Sequence, residues 1–278
     1  MSRCNDGLLW RVPLEVAVQG QSGPPVTLPS IVLAERSAEL SLPPDLVLDL
    51  ERGGYVKLNP GFVSYYRSDY SRELSLALEA SLASCSLPPV DRLSSLEDRV
   101  SLVLAEQGNT TALLTLIGRL DREDSFLVWK NLSSFFHVLR CIVWSSADLA
   151  ARFDRFVTAA MLPCLERIGW SRGCGESHLT SMLRGLLICQ LGTRGCGLVE
   201  QRCTALFAAW VGEEAAEVEP GLREVVMKVA MAARGAGAGH AALQDLLKLL
   251  EVPQERNRVL HSLGLSRSRE FIARSEYW

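Results

Sequence analysis

The sequence predicts a mainly α protein. A small N-terminal antiparallel β-sandwich fragment is followed by an α-solenoid of antiparallel helix pairs, HEAT- or armadillo-like in arrangement. Three observations carry this. The hydrophobic period changes from two to about 3.6 near residue 70. Beyond that point, helical stretches follow one another through short links, which set neighbours antiparallel. A chain of 278 residues, 48% hydrophobic and 22% charged, has the composition of a folded globular protein. No repeat consensus is strong enough to name one helical-repeat family.

In order along the chain, Trp10, Val12, Leu14, Val16 and Val18 alternate with Arg11, Pro13, Glu15 and Ala17, which predicts one half-buried strand. Pro13 within it marks an edge or bulge. Gln21-Ser22-Gly23-Pro24-Pro25 reads as a turn. Ile31–Ala34, Leu46–Leu50 and Tyr55–Leu58 are further strands, with Gly53-Gly54 as a hairpin signal between the last two. The predicted sandwich domain is 1–69 and the predicted helical domain 70–278.

In the helical part, Leu93, Leu96, Val100, Val103 and Leu104 form one stripe. Asp91 is the expected cap after Pro88-Pro89, and Gly108-Asn109 the expected stop. Further helices are predicted at 111–120, 126–143, 147–168, 176–191, 198–211, 222–233, 241–250 and 254–263. Links such as 169–173 and Gly235-Ala236-Gly237-Ala238-Gly239 are short.

Composition also excludes functions. A net charge of −3 argues against general nucleic-acid binding, which needs a basic surface. No apolar run is long enough to span a bilayer or to serve as a secretory signal core, so the expected location is cytoplasmic. The basic charge is mostly arginine, a skew read first as coding bias, although arginine also suits bidentate carboxylate contacts. The eight cysteines contain no CxxC pair and read as free thiols in a reducing compartment. Cys174, Cys189, Cys196 and Cys203 crowd one region, at spacings that match no standard ligand pattern. His137, His178, His240 and His261 include no pair one helical turn apart, so no HExxH zinc helix exists. Glu176 and His178, at i and i+2, do not converge on one ion. Glu213, Glu214, Glu217 and Glu219 read as a solvated acidic loop.

Five segments, in order, carry a resemblance: Trp10–Leu14; Lys57-Leu58-Asn59-Pro60-Gly61-Phe62-Val63-Ser64-Tyr65-Tyr66-Arg67-Ser68-Asp69-Tyr70; Ser86-Leu87-Pro88-Pro89-Val90-Asp91-Arg92-Leu93; Ile168-Gly169-Trp170 with Gly175–Leu179 and Leu183-Arg184-Gly185-Leu186; and Gln254-Glu255-Arg256-Asn257-Arg258. Together they resemble the region after the catalytic domain in puromycin-sensitive-type gluzincin zinc aminopeptidases. The chain departs from that family at Ser64, where glycine is usual. It begins inside the expected sandwich and stops, at Phe271–Trp278, where more helices are expected. It is therefore expected to be an internal segment with an incomplete sandwich and an incomplete superhelix, able to self-associate through the exposed edges.

The resemblance implies a segment of a cytosolic zinc metalloaminopeptidase that encloses and binds peptide substrate. It implies no cofactor in this chain, since zinc belongs to the absent catalytic domain with its HExxH helix and Gly-Ala-Met-Glu-Asn loop. Alone, the chain is expected to be inactive. The implied partners are peptide substrate and that catalytic domain, with no nucleic acid and no membrane. The alternative is a freestanding helical-repeat module binding a peptide or protein. Tyr66 and Arg67 are the candidate domain-interface or cavity-facing residues, Arg67 either facing the substrate cavity or forming a hydrogen-bond fork between domains. Asn59, Gly61, Asp91, Arg92, Arg184, Asn257 and Arg258 are the candidate structural motif.

Overall fold

The structure is a computed structural model and describes residues 9–20, 23–211, 218–233 and 237–266. The chain is mainly α, with eleven α-helices and five short antiparallel strands among the described residues. It divides into two compact units, 1–123 and 124–278.

In the first unit, the alternating segment forms two strands rather than one. β1 (Val12–Leu14) pairs with β4 (Ile31–Leu33), while β2 (Val16–Gln19) lies between β3 (Val26–Thr27) and β5 (Tyr55–Leu58). The chain changes sheets at Glu15. Ala17 is buried together with Val16 and Val18, so alternation stops where β2 becomes central. Pro13 sits in the two-stranded sheet, where each strand has a free edge.

Leu46–Leu50 is helical, not extended. It belongs to α1 (Pro44–Glu51), with proline in its first turn. The hairpin expected at Gly53-Gly54 is instead the end of this helix. Gly53 has φ +102°, its N–H donates to the carbonyl of Leu50, and the Gly54 N–H donates to that of Asp49. These two bonds make a Schellman cap. A Cβ on Gly54 would lie 2.3 Å from the Gln19 carbonyl oxygen, so only glycine lets the chain enter β5 here. Leu46 of α1 buries against Val16, Val18 and Val56, with Leu50 and Leu74 packed around them.

α2 (Arg72–Ala83), a helix that the periodicity does not pick out, follows with Ser71 as its cap. α3 (Pro89–Leu104) and α4 (Thr110–Ile117) complete the unit. Asn109 does not only close α3; its side chain also accepts from the Ala112 N–H and caps α4.

The second unit is all helical among its described residues. It comprises α5 (Phe126–Ile142), α6 (Ala147–Ile168), α7 (His178–Thr193), α8 (Gly197–Val211), α9 (Arg223–Ala232), α10 (Gly237–Leu249) and α11 (Pro253–Leu263). α5, α7, α9 and α11 lie side by side in one layer. Each also packs on a helix adjacent to it in sequence. Such layering is what stacked helix hairpins produce. α7 is central: Leu183, Leu187, Ile188 and Leu191 are all buried. Gly192 of α7 touches α9 so closely that a Cβ would lie 2.5 Å from both Val229 methyl groups. Residues 234–236 of the expected glycine-rich link lie outside the described residues, as do Cys4, Gln21-Ser22, Glu213, Glu214, Glu217 and Phe271–Trp278; Gly237 onward is already α10.

Candidate functional site

The long Lys57–Tyr70 segment forms a polar junction within the first unit. Asn59, the first residue after β5, lies in the left-handed region at φ 53° and ψ 53°, which asparagine tolerates better than most residues. Its amide clamps the following turn. Nδ2 donates to the Ser64 carbonyl at 2.7 Å and Oδ1 accepts from the Ser64 N–H at 2.9 Å. Serine stands at 64 without cost, since the positive φ values of this turn fall on Asn59, Gly61 and Phe62 instead. Gly61 has φ +73°.

Two aspartates of α3 hold this turn. The Gly61 N–H donates to Asp91 Oδ1 at 2.7 Å. Asp91 is therefore not the cap of α3: Pro88 occupies that place, and Asp91 lies inside the first turn, turned toward Gly61. Asp98 accepts from the Ser68 N–H at 3.1 Å and from Arg67 Nη1 at 3.3 Å. Arg67 also reaches Glu97 at 2.9 Å, so its fork grips two neighbouring carboxylates of α3. Tyr66 is half-buried with a shielded hydroxyl, and burial raises its pKa.

Lys57 lies at the centre, 2% exposed, with Nζ donating to the carbonyls of Leu58 and Asn59. Burial lowers its pKa, opposed by the Asp91 and Asp98 carboxylates. For Asp98, burial raises the pKa despite its donors. Tyr70 accepts from the Leu58 N–H at 2.9 Å, and burial pushes its hydroxyl up to about 12. Arg92 forms a second, separate anchor. Nε and Nη2 bind the two oxygens of Glu123 at 2.7 and 2.8 Å, and Nη1 binds the Leu87 carbonyl at 2.6 Å.

The junction leaves particular surfaces free. Tyr65 is 101% exposed, next to the clamped Ser64, and Val63 and Trp10 are also exposed. A groove of about 750 Å³ runs beside Tyr70 and between α2, α3 and α4, and Arg72, Glu79, Arg99 and Asp69 are among its walls. Arg99 is fixed there by Glu79 at 2.9 Å and by Ser75 at 2.8 Å.

In the second unit, Arg184 of α7 is 1% exposed and caps the C-terminus of α6. Nε donates to the Gly169 carbonyl at 2.8 Å and Nη2 to that of Ile168 at 3.3 Å. Glu176 meets it with both oxygens and also accepts from the Gly173 N–H and the Ser181 hydroxyl. The Arg184 guanidinium, foremost, lowers the Glu176 pKa to about 2. His178 is exposed at the start of α7 and takes no part in these bonds. Asn257 and Arg258 are exposed on α11, where Arg258 reaches Glu224 at 3.5 Å. In the same motif Arg256 does more, donating to the carbonyls of Leu247 and Leu250 at the end of α10. The sequence reading passes over Lys57, Asp98, Glu123 and Arg256 as site residues. The signal available for Asp98 was its position seven residues, two helical turns, after Asp91, which puts both carboxylates on one face of α3.

Among the described residues no group of three or more His, Cys, Asp and Glu side chains could hold a metal ion. The described residues thus do not fit a zinc centre. No helix of the described residues is long and apolar enough to cross a membrane.

Among the described residues, then, a small antiparallel β portion with an aspartate-clamped turn precedes layered helices. Residues 55–278 match the model of the ERAP1-like C-terminal domain, and the chain belongs to that family. It is similar to aminopeptidase M1-A of Oryza sativa subsp. japonica, 25% identical over 214 residues, which covers 76% of this chain and 24% of the relative. It is 24% identical to glutamyl aminopeptidase of Rattus norvegicus over 271 residues, 96% of this chain and 27% of that protein. Against puromycin-sensitive aminopeptidase of Caenorhabditis elegans it is 25% identical over 238 residues, 85% of this chain and 24% of the relative. The chain spans about a quarter of the length of the curated relatives it matches.

Proposed function

We propose that this chain is the non-catalytic wall of a zinc aminopeptidase: it docks on a metal-bearing catalytic domain and encloses peptide substrate, and alone it cleaves nothing. One observation carries the reading. Residues 55–278 match the ERAP1-like C-terminal domain, and the chain spans only about a quarter of the length of its aminopeptidase relatives. The geometry supports it. Tyr65 projects fully into solvent from a turn fixed by Asn59, Asp91 and Asp98, and a rigid exposed aromatic loses little entropy when it is covered. We assign the catalytic domain's contact to this turn, and the groove beside Tyr70 to peptide. Remote contacts of this kind raise the rate only where they strengthen in the transition state or help the site close. We place the protein in the cytoplasm; all seven described cysteines are free, as a reducing compartment requires.

The test is reconstitution. The chain is mixed with a separately produced aminopeptidase catalytic domain, and hydrolysis of an aminoacyl reporter is followed. Turnover above that of the catalytic domain alone supports the wall, and Tyr65→Ser should weaken the gain. Specific capture of a peptide or protein without any gain supports a freestanding interaction module instead. Zinc-dependent hydrolysis by the chain alone overturns both.

A further inference from the structure

The groove of about 750 Å³ in the first unit is built from one face of each of three helices. α2 turns Arg72, Ser75, Leu76 and Glu79 toward it, at i, i+3, i+4 and i+7. α3 contributes Arg99, Leu102 and Val103, at i, i+3 and i+4. α4 contributes Thr111, Ala112 and Thr115, at i, i+1 and i+4. These spacings bring a single stripe of each helix to the shared space. In helix bundles such stripes converge on a neighbouring helix. Here the stripes of three helices converge on a groove. α2 has 12 residues, so a segment lying along it has about 18 Å of wall, or about three helical turns.

The polar groups of the walls are largely engaged with one another. Arg99 is held by Glu79 and Ser75. The Thr115 hydroxyl donates to the Thr111 carbonyl at 2.9 Å, the Asn109 side chain accepts from the Ala112 N–H, and the Tyr70 N–H donates to Asp69. No strand of the described residues lines the groove, so no ladder of backbone donors and acceptors faces it. An extended peptide would bury its N–H and C=O groups here with few partners, which is costly. A helix brings those groups already paired. What the walls leave open is apolar surface and one charge. Leu76 is 56% exposed, Leu102 and Val103 are half-buried, and the exposed Arg72 makes no ion pair among the described residues. We propose, building on the assignment of this groove to peptide, that it takes the peptide as an amphipathic helix, its apolar stripe against Leu76, Leu102 and Val103 and an acidic residue at one end against Arg72.

The test titrates two fluorescein-labelled peptides of about three turns into the full folded chain and follows anisotropy. Both carry leucines at i, i+3, i+4 and i+7 and a glutamate at one end of that stripe. One is locked as a helix by an i, i+4 side-chain lactam; the other has proline at its centre, which breaks the helix. The locked peptide should bind about tenfold tighter or more. Leu76→Glu should weaken its binding about tenfold. Arg72→Glu should weaken it about fivefold, and exchanging the peptide's glutamate for lysine should restore that loss. Both side chains are exposed, and a thermal melt like that of the unmodified chain shows each variant to be folded. Equal binding of the two peptides, weakened by Leu76→Glu, overturns the helix and leaves the groove to extended peptide. Binding of neither, or binding that Leu76→Glu does not change, takes peptide out of the groove altogether and the helix with it. A dimer of the chain that Leu76→Glu disrupts would seat a second copy in the groove and overturn the helix as well.

Discussion

Arg92 and Glu123 are 4% and 0% exposed, and neither charge has water to fall back on. Removing one partner leaves the other buried without its bidentate ion pair. Arg92→Met should cost about 3–5 kcal/mol, read as a lower urea midpoint, and the double variant with Glu123→Met should recover much of it, because a buried pair is often replaceable by apolar side chains. A double variant no better than the single one would show that Arg92 acts through its bond to Leu87 instead. Glu176 makes a pH prediction. Its pKa lies near 2 when folded and near the ordinary carboxylate value when unfolded, so its bond to Arg184 is fully present above about pH 4.5. That contribution is lost as pH falls toward 2. The stability gap between the native chain and Glu176→Gln should therefore be flat above about pH 5 and close below it; a gap independent of pH would refute the assignment. The skew toward arginine has structural use: Arg67, Arg92, Arg99 and Arg184 each bind a carboxylate together with a second acceptor group.

At the scale of elements, helices with a wide apolar stripe and a clear boundary are legible in the sequence. α6 spans 147–168 as the periodicity predicts, and β5 spans 55–58. α1 and α2 are not, for two reasons. Leu46–Leu50 is a short apolar run, and such runs fit a strand as well as a helix. Leu74, Leu76 and Leu78 satisfy a period of two and a period of four together; only the packed structure shows Leu78 buried and Leu76 exposed. Tight approach between helices is equally silent in the sequence. Gly192 looks like an ordinary helical glycine, a residue that alanine usually improves. Here the Val229 methyl groups occupy the space, so Gly192→Ala should destabilise by about 1–3 kcal/mol through overpacking. Thermal melting decides the sign: a raised Tm would mean that α7 and α9 separate easily.

At the scale of the molecule, the candidate site was partly legible. The Lys57–Tyr70 and Ser86–Leu93 segments are separated in sequence but held together through Gly61–Asp91 and Ser68–Asp98. The first of these pairs uses a residue expected to cap a helix, and the second uses one that no pattern marks. If this junction fixes Tyr65 for docking, Asp98→Asn should lower the rate gain seen on reconstitution more than it lowers overall stability, with unfolding and turnover measured side by side. Equal losses in the two would make the junction merely structural.

The sequence alone determined the class of the chain, the change from strand to helix near residue 70, most helix boundaries and the lack of an HExxH zinc helix, because periodicity, caps and ligand spacing are local. Tertiary structure decided which charges are buried, which aspartate holds which turn, and where Arg140 and Arg194 meet on Asp154. Those depend on desolvation and on contacts between residues about thirty or forty positions apart, as Gly61 is from Asp91 and Arg194 from Asp154, and no local pattern encodes them.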